Sequence, residues 1–150
     1  MSAKSEAFWN QLCADAGVDP QRRLAARQAI LADAKAVDAC FYRPDDADPD
    51  AEELDLGDAR VLILGPFEAP ADWDAAEREA FFEDADPAAF FSALVECEAA
   101  PGSKAFFVPE IGDFVAVMPS PDKVQMYFLH DWREEEDGCH CVLVRDDEGL

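Results

Sequence analysis

The residues best suited to chemistry sit near the C-terminus, where Gly138-Cys139-His140-Cys141 offers two soft sulfur ligands and an imidazole, with His130 upstream. Zinc would need about four such ligands. Alternation along a strand sends Cys139 and Cys141 to one face and His140 to the other, so His130 would have to join the two thiols across the intervening turn. His130, Cys139 and Cys141 are therefore the weak metal candidates, and they also form the only sketch of a thiol enzyme. The sequence has no nucleophile elbow, phosphate loop or dinucleotide fingerprint to support catalysis. No cofactor is expected.

A second candidate for cation chemistry is the acidic run after Arg43. Asp46, Asp48 and Asp50 fall at the first, third and fifth positions of an EF-hand-like loop. The pattern then fails, because Ala51 stands where the sharp turn needs Gly, Gly57 stands where a bidentate Glu is needed, and Pro49 lies inside.

What remains is the acid itself. The formal net charge is -22 over 150 residues. It is unevenly laid out: residues 1–42 carry five acids and five bases, whereas residues 43–86 carry sixteen acids and three bases. Residues 87–130 are milder, with five acids and two bases, and residues 131–150 are again acidic, with eight and two. So strong a negative balance disfavours nucleic-acid phosphates and anionic membranes and favours a basic protein partner. The neutral first 42 residues argue against a uniformly acidic surface of the kind that serves life in high salt. Acidic inhibitors of nucleases and toxins, immunity proteins and nucleic-acid mimics use such a charge layout, which is an analogy of charge alone.

The expected function is thus a non-enzymatic acidic binding protein that docks a basic partner, plausibly an inhibitor or immunity protein. The first block would present Asp45, Asp46, Asp48, Asp50, Glu52, Glu53 and Asp55. The second would present Glu134, Glu135 and Glu136, with Trp73 and Trp132 as aromatic anchors. The alternatives are the small metal or thiol enzyme above, and an accessory or self-associating domain whose acidity serves solubility.

The elements that must position these residues follow from periodicity and punctuation. A helix over Ser5–Ala16 has Phe8, Leu12 and Ala16 on one face and Gly17 as its stop. Asp19-Pro20 caps a second helix, which the i, i+4, i+7, i+11 series of Ile30, Ala34, Val37 and Phe41 extends to Phe41. Arg22, Arg23 and Arg27 cluster at its start and raise the helix-turn-helix question, which the local charge balance and the acidity downstream answer against DNA.

The acidic stretch reads as an exposed loop, "RVLILG" as a buried strand, and "PADWDAAEREAFFEDAD" as a third helix capped by Asp72 or by Asp74, whose spacing to Glu77 matches a capping box. Asp86-Pro87 starts a fourth helix over "AAFFSALVECEAA". From Lys104 the period changes to two, giving strands near 105–108, 113–118 and 123–130 and a last one at "CHCVLVR". The sum is one α+β domain over residues 1–150: a helical hairpin and two further helices on a mainly antiparallel sheet of four to five strands.

Five scattered cysteines suit reduced thiols rather than a disulfide framework. The absence of a leader or of an apolar run near 20 residues leads to a cytoplasmic expectation.

Overall fold

The structure, a computed structural model, describes residues 2–45, 47–48, 50–83 and 85–146. Helices are combined with an antiparallel sheet, as expected of an α+β chain, but the sheet is closed. Six strands form a barrel in the order β1-β2-β3-β6-β5-β4, where β1 is Val37–Arg43, β2 Leu54–Pro66, β3 Phe90–Cys97, β4 Phe114–Ser120, β5 Lys123–Glu135 and β6 Gly138–Asp146. The open sheet of four to five strands is therefore corrected to a closed barrel of six, which leaves no edge to protect.

Among the described residues three α-helices accompany the barrel: α1 (Ala3–Ala16), α2 (Pro20–Ala32) and α3 (Ala75–Phe82). Three of their termini lie where the sequence marks them. Gly17 ends α1 at φ 75°, Asp19 caps α2 ahead of Pro20, and the Asp74 carboxylate accepts from the Glu77 N–H at 2.8 Å to cap α3. The buried face of α1 is Trp9 and Cys13 rather than the Phe8 face, because the Trp9 indole donates to the Pro20 carbonyl at 3.0 Å and locks the two helices together. Among the described residues no helix is long and apolar enough to cross a membrane.

Two expected helical stretches are strands. Helix α2 stops at Ala32, and Val37 and Phe41 belong to β1, where Val37, Ala39 and Phe41 face the interior. A spacing of four puts residues on one face of a helix, but because it is an even number it also puts them on one face of a strand.

The expected fourth helix is a short 3-10 turn (Pro87–Ala89) followed by β3. This strand is covered on both sides. Phe91, Ala93 and Val95 turn into the core, while Phe90 packs under Phe81 and Phe82 of α3 and Glu96 lies under α2. A strand buried on two faces loses the alternation that would have revealed it. Residues 105–108 form no strand; Phe106 and Phe107 pack from an irregular segment against Phe8 and Phe41.

The interior is filled by side chains, as a small barrel requires. Phe41, Val61, Val115, Leu129 and Leu143 are all at most 1% exposed, with Cys139 and Cys141 among them. Helix α2 is fastened to the barrel by ions. Arg23 and Arg27 are buried; Arg23 meets Glu96 of β3 and Glu134 of β5, and Arg27 donates to the carbonyls of Cys97 and Ala99. Two of the three clustered arginines, Arg23 and Arg27, are thus turned inward, and the charge of Arg23 is met by carboxylates more than seventy residues away in sequence, while Arg22 stays exposed.

Candidate protein-docking surface

The strap between β1 and β2 holds the first acidic block. Its shape comes from the acids themselves: Asp45 accepts from the Ala47 N–H at 2.9 Å and Asp48 from the Asp50 N–H at 3.1 Å, the short-range bonding that favours turns over helix or strand. Asp45, Asp48, Asp50, Glu52, Glu53 and Asp55 are all exposed. Among the described residues none of the six forms an ion pair. Asp46 lies outside the described residues. Asp55 is already on β2, which begins at Leu54 rather than at "RVLILG", so part of the expected loop is sheet.

The acid continues from the strap onto the sheet. The register places Tyr42 opposite Asp55, Cys40 opposite Asp58 and Asp38 opposite Arg60. Asp38, Asp58 and Glu98 line a shallow groove of about 270 Å³ with Met118 of β4. Among the described residues only Arg60 forms an ion pair with this charge, at 3.4 Å from Asp38, and its other terminal nitrogen donates to the carbonyls of Asp33 and Ala36. Burial and the Asp58 carboxylate, which accepts from the Cys40 thiol at 3.4 Å, push that thiol up.

Beside the acids the sheet is apolar. β4 places Phe114 opposite Tyr42, Ala116 opposite Cys40 and Met118 opposite Asp38, and Leu54 is 62% exposed at the mouth of the strap. Asp58 closes the acidic stretch read from the sequence, but sequence reasoning missed Asp38 and Glu98, single acids in mixed segments; the β1–β2 register brings Asp38 beside it and the β2–β3 pairing brings Glu98, whose N–H donates to the Asp58 carbonyl at 3.0 Å.

The second acidic block is different in kind. Glu134 accepts from buried Arg23 at 2.7 Å, Glu136 from Arg22 at 3.2 Å, and Glu135 lies between Arg133 at 3.4 Å and His140 at 3.2 Å. Glu134 and Glu135 sit on β5 and the turn is only Glu136-Asp137, tighter than the expected "DWREEEDG" loop. By strand direction both blocks leave the same end of the barrel, but on hairpins that are not neighbours: β3 separates them on one side and β4 on the other.

Trp73 and Trp132 both line a cleft of about 270 Å³ that α3 and the segment before it form over β3, β5 and β6. Phe67, Trp73 and Phe81 stack along one wall, with centroids 4.9 to 6.4 Å apart. Trp132 packs against the core, opposite Cys141 in the register. The strands under this cleft do not carry the strap.

The weak metal set is not assembled. His130 lies at a bulge in β5, its Nε2 2.6 Å from the Phe81 carbonyl and its ring against Phe81 and Phe90, so it fastens α3 to the barrel. Cys139 and Cys141 point into the core with their sulfurs 3.8 Å apart; that contact and burial push the Cys139 thiol well up, away from the thiolate that a metal ligand or nucleophile requires. No family model, no curated protein and no solved structure matches this chain.

Proposed function

We propose that this protein is a non-enzymatic acidic binding protein whose strap and β1–β2 face dock a basic protein surface. The observation that carries the reading is the contrast between the blocks: the six described strap carboxylates have no ion-pair partner among the described residues, whereas Glu134, Glu135 and Glu136 are each answered by a nearby cation. Exposed like charges repel, and a Lys- and Arg-rich partner relieves that repulsion on contact while its approach is steered from beyond van der Waals range. The apolar neighbours Leu54, Tyr42 and Met118 supply area that excludes water, since charge gives rate and selectivity more than affinity. An inhibitor or immunity protein for a basic enzyme fits this chemistry. Direct binding of nucleic acid or of an anionic membrane does not.

The experiment compares the wild type with Asp48→Asn/Asp50→Asn/Glu52→Gln/Glu53→Gln for binding to a Lys/Arg-rich peptide and for capture of proteins from host extract, each captured protein being identified and its affinity measured. The expected result is a basic protein whose binding weakens at least about tenfold both in the quadruple variant and between 50 and 300 mM salt, on the order expected for several screened contacts. Glu136→Gln should leave it unchanged. Capture that ignores salt and the strap substitutions, or no capture of any basic protein, would sink the reading.

A further inference from the structure

The β5–β6 hairpin carries a cluster that the docking surface does not use. Its loop is two residues long, Glu136-Asp137, with Glu135 paired to Gly138 and Arg133 paired to His140. Glu135 and His140 are therefore diagonal neighbours on the outward face, and Asp137 at the turn folds its carboxylate back over them. The His140 Nε2 lies 2.8 Å from Asp137 Oδ1 and 3.2 Å from Glu135 Oε2, and the three ligand atoms all lie within 4.8 Å of one another.

We propose that Glu135, Asp137 and His140 bind a divalent first-row transition-metal ion of the zinc class. In a tetrahedral shell, metal–ligand bonds of roughly 2.0–2.2 Å place adjacent ligand atoms about 3.4 Å apart, so the His140 nitrogen already stands near that spacing from both carboxylates. A neutral imidazole has at most one Nε2–H, which serves one of these two carboxylate oxygens well; an ion bound to the nitrogen lone pair satisfies both.

The set is also oriented from outside. The other carboxylate oxygen of Glu135, Oε1, lies 3.4 Å from the Arg133 guanidinium, which turns Oε2 toward the imidazole in the manner of an outer-shell partner. The platform is rigid, because Cys139 and Cys141, flanking His140, are fixed in the core.

The ligand chemistry selects the ion. One nitrogen and two carboxylates suit zinc, cobalt or manganese, whereas calcium takes six to eight oxygens and gains little from imidazole. Three protein ligands leave coordination positions free, and His140 also lines the cleft beneath Trp73, so water or a small anionic group can complete the shell from that side. The site is independent of the docking reading.

The test uses the full chain, stripped with chelator and titrated with Zn²⁺ against a chromophoric competitor and with Co²⁺ by visible absorption. We expect one saturable equivalent per chain and a cobalt spectrum showing nitrogen ligation. His140→Gln and Asp137→Asn should each weaken zinc at least about tenfold, as loss of one ligand in three implies. The strap quadruple variant should bind zinc as the wild type does. Absence of a saturable site, equal affinity in His140→Gln, or loss of zinc in the strap variant would each overturn the proposal. Asp137 is 73% exposed, so its variant tests the site without disturbing the fold.

Discussion

Replacing Arg23 by Met tests how α2 is held on the barrel. Arg23 is 2% exposed and serves two carboxylates, Glu96 and Glu134, that are 4% and 18% exposed. Methionine fills most of the volume but leaves both acids without their main cation, Arg27 standing 3.6 Å from the other oxygen of Glu96. Charge-assisted hydrogen bonds contribute roughly 1.5–3 kcal/mol each, and breaking a buried pair by removing one partner costs about 3–5 kcal/mol. We take the latter figure at pH 7, because the loss is dominated by the stranded carboxylate.

The pH dependence has a defined sign. Burial holds the Glu96 carboxyl above its ordinary value of 4.5 even with Arg23 lowering it, and removing Arg23 raises it further. A carboxyl with a raised folded pKa stabilises the fold while protonated, fully so below its unfolded value, and that stability is lost as pH rises through the folded value. The cost of Arg23→Met should therefore shrink as pH falls from 7 toward 5. Glu96→Gln in the same chain should recover part of it at pH 7.

Urea unfolding followed by tryptophan fluorescence measures this, since Trp9 lies under the Arg23 guanidinium at 5.4 Å. A loss below about 1 kcal/mol, the range of an exposed pair, or a loss that neither pH nor Glu96→Gln moves, would refute the view of Arg23 as the counter-ion that makes this interface.

Other predictions concern the hairpin and the thiols. Gly138 has φ 142°, and an added Cβ would come within 2.9 Å of Ile30 Cδ1. Gly138→Ala should cost about 1–3 kcal/mol in urea unfolding, and Ile30→Val should not restore it, because the backbone conformation rather than the flexible isoleucine tip is limiting. Of the five free cysteines only Cys40 is not buried. A thiol reagent at pH 8 should label about one thiol in the folded protein and five in urea; Cys13, pushed up to about 11 chiefly by burial, should be among the protected ones.

The helix signals that depend on local hydrogen bonding were legible: Gly17, Asp19-Pro20 and Asp74 with Glu77 act within one turn of chain and do so in the folded protein. The strand signals failed where burial came from elsewhere. β3 looks helical because α2 and α3 cover its outer face, and β1 looks like a continuation of α2 because a four-residue spacing fits both periods. Closure of the barrel has no local mark at all, since it is a property of strand count and register.

The charge separates in the same way. Sequence alone determines that the chain is strongly acidic, that the excess begins after Tyr42, and that the stretch up to Leu54 has no apolar periodicity to make a helix or strand. Which acids remain free is a tertiary matter, because an ion pair needs two groups within about 4 Å and the chain decides that only by folding. Arg23 reaches Glu134 and Arg22 reaches Glu136 across more than a hundred residues, while the strap meets no such cation among the described residues. Asp38, Asp58 and Glu98, scattered in sequence, become one groove only because β2 pairs with β1 on one side and with β3 on the other.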